Sequence, residues 1–189
     1  MRKFKWKVVK TLGLETLVWN AEWASGRWDY LDSMKQDSLE IVRKYARNGR
    51  IVELGCGSGG LIDQVGVSYF SHYQGFDISR SAVRRARARN LERCEFQVGK
   101  MQEAAFGVAD LIIVQEALFY LEESEQHALI NKCVGRLSPG GAFYVTVHDA
   151  SQFAPLIAAV RQSGKVMEER FVKADSNEFV HLVVSPERA

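Results

Sequence analysis

A glycine-rich turn between a predicted strand and a predicted helix restricts the fold of this chain more than any other feature. Residues 53–60 read ELGCGSGG and follow the apolar run of residues 50–54. Glycine at positions 55 and 57 lets the backbone turn tightly and approach a ligand without a Cβ in the way. The helix that follows offers unpaired N–H groups to an anionic group. Gly55, Gly57 and Gly60 also match the GxGxxG fingerprint, so the turn predicts a nucleotide-type ligand.

From residue 50 onward, apolar strand-like runs alternate with helical stretches, which is typical of a parallel sheet covered by helices. The predicted strands are residues 50–54, 73–76, 94–98, 111–115, 142–147, 168–173 and 178–184. The predicted helices are residues 31–46, a helix from about Gly59, and residues 79–90, 124–137 and 152–162. Ser79 is the predicted N-cap of the third helix, and the Ser-Pro-Gly-Gly at residues 138–141 is predicted to end the fourth.

The last two strands are joined by residues 174–177 alone, which are too few for a crossover helix, so these strands are antiparallel. We therefore predict an α/β fold: a mostly parallel, doubly wound seven-stranded sheet that ends in an antiparallel C-terminal hairpin, with helices on both faces. We assign this domain to residues 31–189, and residues 1–30 to a separate basic and aromatic cap segment.

Composition restricts the class of protein further. A chain of 189 residues with 47% hydrophobic and 25% charged residues has the size and make-up of a single globular domain. No apolar run approaches the ~20 residues that a membrane span needs, and the N-terminus does not resemble a secretory signal. Cys56, Cys94 and Cys133 lie far apart and form no metal-binding pair. We expect a cytoplasmic protein with neither a disulfide framework nor a metal site.

Two acidic residues indicate which nucleotide binds. Asp77 ends the second predicted strand, where a carboxylate can accept both ribose hydroxyls of NAD or of S-adenosylmethionine. Glu53 ends the first strand, where a dinucleotide-binding strand usually carries an apolar residue. Because burying an unpaired carboxylate is costly, Glu53 is expected to face a polar ligand group. Glu53 and the terminal hairpin favour S-adenosylmethionine over NAD.

These features resemble the class I, Rossmann-like S-adenosylmethionine-dependent methyltransferases over about residues 39–185. The resemblance is carried by IVELGCGSG at residues 51–59, GFDIS at 75–79, ADLIIVQEALFYL at 109–121 and RLSPGG at 136–141. A short chain with an aromatic N-terminal cap is similar to bacterial enzymes that methylate small metabolites or glycans, including nodulation-factor N-methyltransferases.

The resemblance implies a cofactor role for eight residues. The backbone around Gly55, Cys56 and Gly57 would receive the methionine part of S-adenosylmethionine, Glu53 its amino end, Asp77 the ribose diol, Ile78 and Met101 the two faces of adenine, and Gln115 would lie under the methionine moiety. One position departs from the family pattern. Lys100 stands where many relatives have an acid that binds the adenine amino group, so we expect backbone near Met101 to read adenine instead.

Two side chains are candidates for the chemistry of methyl transfer. An oxygen acceptor usually needs a base, and an amine must arrive unprotonated. His148 follows the fifth strand and Glu116 the fourth, at the edge of a parallel sheet where ligands bind. His148 is either the base or a polar residue that closes a strand. Glu116 either contacts substrate or caps the short helix after the fourth strand.

The predicted function is S-adenosylmethionine-dependent methylation of an oxygen or nitrogen of a small molecule or glycan. The alternative is a non-catalytic S-adenosylmethionine-binding regulatory protein. We do not expect a nucleic-acid partner, because the fourth strand lacks the Asn/Asp-Pro-Pro-aromatic motif of enzymes that methylate base amines. No Pro-Cys pair supplies a nucleophile for cytosine C5.

The N-terminal segment has several interpretations. Basic residues alternate with Phe4, Trp6, Val8 and Val9; they are Arg2, Lys3, Lys5, Lys7 and Lys10. Such a pattern suits a peripheral membrane contact, a dimer contact or a lid. The aromatic residues that we expect in a cap over the substrate are Trp28, Tyr30 and Tyr120, with Trp19 and Trp23 nearby. Equally, the aromatics of residues 19–30 would only pack the first helix on the sheet.

Overall fold

A computed structural model describes residues 9, 11–28, 36–174 and 177–186. The predictions for the basic N-terminal segment and for Tyr30 concern residues outside these ranges. The described strands are β1 (Arg50–Leu54), β2 (His72–Asp77), β3 (Cys94–Val98), β4 (Ala109–Gln115), β5 (Leu137–His148), β6 (Lys165–Ala174) and β7 (Asn177–Ser185). The described α-helices are α1 (Glu15–Ala24), α2 (Gln36–Ala46), α3 (Gly60–Val65), α4 (Arg80–Ala88), α5 (Glu123–Val134) and α6 (Ala154–Gln162). Short 3₁₀ helices span Val67–Tyr69 and Leu118–Tyr120.

The strands form one seven-stranded sheet in the order β3-β2-β1-β4-β5-β7-β6. Strands β1 to β5 pair in parallel, and β7 runs antiparallel to both β5 and β6. The predicted sheet and its terminal hairpin are confirmed. The strand order reverses between β1 and β4, and ligands of open α/β sheets bind outside the carboxyl ends of the strands at such a point. The glycine-rich turn after β1 lies there.

Two apolar cores cover the two faces of the sheet. One packs α5 and α6 on inward side chains such as Ile112, Val114 and Val145. The other packs α2, α3 and α4 on the opposite face, against Ile51, Tyr73 and others. Because the central strands are buried on both faces, their sequences are continuous apolar runs rather than alternating ones. Of the helices in the described ranges, none is both long and apolar enough to span a membrane.

Most predicted elements match the structure closely. Strands β1 and β3 have the predicted bounds, and Ser79 caps α4 by accepting a hydrogen bond from the N–H of Ala82 at 3.2 Å. Helix α6 begins at Ala154 instead of residue 152, with Pro155 in its first turn. In the predicted helix 31–46, the described part is α2, whose apolar residues Leu39, Ile41, Val42 and Tyr45 are buried.

The predicted end of the helix at 124–137 is wrong. Helix α5 ends at Val134, and the residues around Pro139 are already part of β5. Leu137 pairs with Ala109 of β4, and the Ser138 hydroxyl donates to Oδ1 of Asp110 at 2.5 Å. Pairing with a strand distant in sequence therefore overrides the local helical pattern, and Pro139 and Gly140 lie within a strand rather than end a helix.

Asp110 ties the start of β4 to two other strands, so we expect its removal to destabilise the fold. Its Oδ2 accepts the backbone N–H of Arg50 at 2.7 Å, and its Oδ1 accepts the Ser138 hydroxyl. Asp110→Ala should lower the free energy of unfolding by about 1–3 kcal/mol, because both donors lose their partner. Urea denaturation measures the change.

Asp63→Ala is the matched control. Asp63 is paired with Arg89 at 2.6 Å, and its side chain is 40% exposed. An exposed ion pair of this kind contributes at most about 1 kcal/mol. Equal losses for Asp63→Ala and Asp110→Ala would contradict a structural role of Asp110.

Candidate active site

The glycine-rich turn is fastened to the end of β2. The carbonyl of Phe76 accepts the N–H groups of both Gly55 and Cys56, at 2.7 and 3.0 Å. Gly55 and Gly57 have φ values of +84° and +55°, which favour glycine. A Cβ on Gly55 would lie 2.9 Å from the Cβ of Ala117, which follows β4. The turn thus passes close to the end of β4 only because residue 55 has no side chain.

Asp77 connects this turn to the start of α4. Its Oδ2 accepts the N–H of Gly57 at 2.9 Å, and its Oδ1 accepts the N–H of Ser79 at 2.8 Å. Desolvation of the carboxyl group raises the pKa of Asp77 to about 6, and the two backbone hydrogen bonds oppose that rise. A carboxylate has about four lone-pair positions, so Asp77 retains acceptor capacity for a ribose diol.

Glu53 has a polar partner inside the protein. The side chain is only 1% exposed, and its Oε2 accepts the hydroxyl of Tyr73 at 2.7 Å. Burial and the neighbouring Glu53 carboxylate raise the pKa of that hydroxyl well above its usual range. From the sequence, Glu53 was expected to face a polar ligand group; in the structure its Oε2 is paired with Tyr73 of β2, a residue that was not predicted for the site.

The other predicted cofactor residues occupy different surroundings. Cys56 is buried, and a Cβ on Gly75 would lie 2.9 Å from its Sγ, so the thiol fills space between β1 and β2. Ile78 directly follows Asp77 and is half-buried. Met101 follows β3 and packs against the core that includes Phe76 and Phe106. Lys100 pairs with Glu15 of α1 at 3.7 Å.

Gln115 belongs to a buried polar network on the α2 face of the sheet. Its Nε2 donates to the Ser38 hydroxyl at 2.6 Å, and Ser38 is hydrogen-bonded to the Tyr144 hydroxyl at 2.9 Å. The same Tyr144 hydroxyl lies 2.7 Å from Nδ1 of His181. Burial lowers the pKa of His181. His181 thus belongs to this network, and the Gln115 amide is held toward α2.

The structure brings the two predicted catalytic side chains together. Nδ1 of His148 lies 2.5 Å from Oε2 of Glu116, although 32 residues separate them. The pKa of His148 is raised, mainly by the hydrogen bond with Glu116. Desolvation opposes this rise, and the negative charge of Asp149 adds to it. This arrangement directs Nδ1 to the carboxylate and leaves Nε2 on the far side of the ring.

The backbone at both strand ends is unusual. Glu116 and Asp149 have φ values of +50° and +53°, a region that non-glycine residues rarely adopt. The N–H of Glu116 donates to the carbonyl of Thr146 at 3.1 Å, which holds the left-handed turn after β4 against β5. Such strain concentrates at functional sites, where surrounding contacts maintain it.

Aromatic side chains surround the Glu116–His148 pair. The Phe119 ring lies 4.7 Å from the His148 ring, edge to face, and 4.8 Å from Phe153, stacked. Tyr120 lies 4.7 Å from Phe119 and contacts Trp19 of α1 at 4.9 Å. Of Phe119, Tyr120 and Phe153, only Tyr120 was predicted from the sequence. Phe119 lies three residues after Glu116, so its closeness to that candidate in the chain could have indicated it.

Helix α1 lies across the glycine turn and the start of α4. A Cβ on Gly57 would lie 2.7 Å from the ring of Trp23, which is 7% exposed. Oδ1 of Asn20 accepts the Ser79 hydroxyl at 3.1 Å and the N–H of Ser81 at 3.2 Å. Trp28 lies 5.8 Å from Trp19 and donates to Glu22. Within the described part of the chain, the first helix therefore contacts the predicted cofactor turn directly.

Comparison with known proteins agrees with this geometry. Residues 51–141 match the family model of the methyltransferase domain. This part of the chain is a methyltransferase domain. The predicted identification and the predicted S-adenosylmethionine cofactor are confirmed. The glycine-rich turn and Asp77 also fit that cofactor. Gly55 and Gly57 have positive φ values and no Cβ, and the carboxylate of Asp77 beside them is suited to a ribose.

The curated relatives are mRNA cap guanine-N(7) methyltransferases. That of Saccharomyces cerevisiae is 31% identical over 131 residues, covering 58% of this chain and 30% of the relative. That of Eremothecium gossypii is 32% identical over 130 residues, with the same coverage of 58% and 30%. This chain therefore spans about a third of the length of the curated relatives that it matches.

Solved structures share the fold at low sequence identity. The N-methyltransferase NodS of Bradyrhizobium japonicum in complex with S-adenosyl-L-homocysteine gives a TM-score of 0.70 at 18% identity, covering 85% of this chain and 92% of that one. A chain of the complex between the Haloferax volcanii Trm112 methyltransferase activator and a putative methyltransferase gives 0.73 at 18% identity, covering 89% and 97%. These likenesses support the fold alone.

The raised pKa of Asp77 predicts a pH dependence of cofactor binding. Ribose hydroxyls hydrogen-bond best to the ionised carboxylate, so bound ligand favours the charged form and lowers the pKa of Asp77. Since that pKa is about 6 in the free protein, affinity for S-adenosylhomocysteine should rise with pH up to about 6 and then level off. Isothermal titration at a series of pH values measures it.

Asp77→Asn supplies the comparison, because it keeps the size of the side chain and cannot ionise. The variant should bind more weakly above pH 6, without the pH-dependent step at about 6. A wild-type affinity that stays constant across this range would place the ribose away from Asp77.

Proposed function

We propose that this protein transfers a methyl group from S-adenosylmethionine to an oxygen or nitrogen of a small molecule or glycan. The observation that carries the proposal is the Glu116–His148 pair at the carboxyl ends of β4 and β5, with a 2.5 Å hydrogen bond between Oε2 and Nδ1. The glycine turn passes close to the residues after β4, and β5 is the next strand, so the pair lies at the edge where the methyl donor is predicted to bind.

Each side chain has a defined part in this proposal. S-adenosylmethionine supplies an activated methyl group on a sulfonium, so the protein mainly orients the acceptor and removes its proton. Nε2 of neutral His148 takes that proton. Glu116 holds the imidazole in the tautomer with the hydrogen on Nδ1 and stabilises the imidazolium that results. Phe119 and Phe153 both contact the His148 ring edge to face and restrict its orientation.

A second function follows from the curated relatives, which methylate the N7 atom of the mRNA cap guanine according to their names. Guanine N7 carries a lone pair and no proton, so a base has no task in that reaction. The Glu116–His148 pair therefore favours an acceptor that must lose a proton. Incubation with a guanosine-capped dinucleotide and S-adenosylmethionine tests the rival, and formation of the N7-methylated product would establish it.

We also propose that the segment of residues 1–30, which contains α1, acts as a cap over the cofactor and the acceptor. Trp23 packs on Gly57, and Trp19 packs on Tyr120 after β4, so α1 bridges the cofactor turn and the aromatic residues near His148. A cap excludes water and contributes to acceptor specificity. Trp28 and Tyr120, which we predicted as substrate or cap residues, contact the same helix through Trp19.

His148→Ala tests the base. Removal of a general base typically costs about 10²–10⁴ in rate, so turnover should fall by that order while affinity for S-adenosylhomocysteine stays unchanged. Since only neutral imidazole accepts a proton, wild-type turnover should rise with pH through the pKa of His148, which lies above its ordinary value. Higher pH should partly rescue the variant.

The measurement is S-adenosylhomocysteine formation with an acceptor found by screening alcohols, amines and sugars. His127→Ala is the control, because His127 is exposed on α5. A loss below about fivefold in His148→Ala would argue against base catalysis. Binding of S-adenosylhomocysteine without product from any acceptor would favour the regulatory alternative.

Asn20→Ala tests the cap. The substitution removes the acceptor that fastens α1 to Ser79 and Ser81, so α1 should detach more often and turnover should fall. Trypsin should then cleave faster after the exposed Arg27. Asn131→Ala, at an exposed position of α5, is the control. An unchanged cleavage rate in Asn20→Ala would show that these hydrogen bonds do not hold the cap.

A further inference from the structure

One oxygen of the Glu116–His148 pair lacks a hydrogen-bond donor. Oε2 of Glu116 is paired with His148, but Oε1 is buried and accepts no hydrogen bond from any described residue. Leaving a buried carboxylate oxygen without a donor is costly, because its hydration is lost and nothing replaces it. The site thus offers two acceptors in one pair of side chains: Nε2 of His148 and Oε1 of Glu116.

The number of protons on the acceptor decides which class can satisfy both positions. A hydroxyl has a single proton, which would go to His148 and leave Oε1 unpaired. An ammonium group of a primary amine carries three N–H donors. It can give one proton to Nε2 and still donate an N–H to Oε1, while the freed lone pair points to the methyl group.

The surroundings of the pair also suit a cation. Aromatic ring faces attract ammonium groups, and Phe119, Phe153 and Tyr120 form a connected aromatic cluster with His148. Two carboxylates, Glu116 and Asp149, raise the pKa of His148, so both act on it as negative charges. A positive ligand group is favoured there over a neutral one.

We propose that the methyl acceptor is a primary or secondary amine, bound as its ammonium form between Glu116, His148 and the cluster of Phe119, Tyr120 and Phe153. This inference rests on the proposed function and names its acceptor class. One N–H bond breaks and its proton goes to Nε2 of His148. The nitrogen lone pair then forms the N–C bond as the sulfonium S–C bond breaks, and that electron pair stays on sulfur. His148 returns the proton to water.

Glu116 is the residue whose charge distinguishes an ammonium from a hydroxyl, so Glu116→Gln is the decisive variant. Two matched pairs of probes differ only in this group: benzylamine with benzyl alcohol, and D-glucosamine with D-glucose. Isothermal titration at neutral pH, with the protein saturated by S-adenosylhomocysteine, measures their dissociation constants. Glu123→Gln is the control, since Glu123 is an exposed carboxylate in the first turn of α5.

In at least one pair, the wild type and Glu123→Gln should bind the amine tenfold or more tightly than the alcohol. Glu116→Gln should lose that preference and retain its affinity for S-adenosylhomocysteine, which shows that it is folded. The proposal is overturned if neither amine is preferred, if none binds, or if the preference survives in Glu116→Gln. Absence of S-adenosylhomocysteine binding by the wild type would instead overturn the proposed function, so the two failures are distinguishable.

Discussion

The attachment of the glycine turn to the end of β2 determines the geometry of the rest of the site. One carbonyl, that of Phe76, accepts two N–H groups of the turn, and the next residue, Asp77, accepts a third from Gly57. Each of these donors would otherwise be an unpaired polar group beside the buried core, and such groups are costly. The glycine turn and Asp77 are therefore fixed relative to each other before any ligand binds.

A second polar network supports the strands on the other side of β1 in the sheet. The chain of hydrogen bonds from Gln115 through Ser38 and Tyr144 to His181 joins β4, α2, β5 and β7. Ser38, Tyr144 and His181 are buried, Gln115 is partly buried, and each has a partner, so the network rigidifies rather than weakens the core. Since Glu116 directly follows Gln115, this network also restrains the residue that pairs with His148.

The sheet explains why residues at the ends of distant strands lie at one edge of the protein. Parallel strands all deliver their carboxyl ends to one edge, and the reversal between β1 and β4 opens a crevice there. Glu53, Asp77, Glu116 and His148 follow or end four different strands at this edge. Helix α1, through Trp23 and Asn20, covers the part of the edge nearest the glycine turn.

Much of the fold followed from local sequence patterns. The apolar runs at β1 and β3, the N-cap Ser79 and the short connection before β7 were sufficient for the sheet, because each depends on neighbours in the chain. Local patterns did not predict the end of α5 correctly, because the strand pairing of Leu137 and the hydrogen bond of Ser138 with β4 outweigh the local helical preference. Propensity is a weak signal where a strand offers paired hydrogen bonds.

The sequence by itself determined the cofactor class and indicated Glu53, Asp77, Glu116 and His148 as candidate site residues, because motif spacing and strand ends can be read directly. Tertiary structure alone decided their partners. Tyr73 satisfies Glu53, Gln115 is held toward Ser38, and Glu116 meets His148 across the ends of β4 and β5. The physical reason is that hydrogen bonds between side chains depend on strand register and direction in space, and residues 32 positions apart along the chain carry no local signal of either.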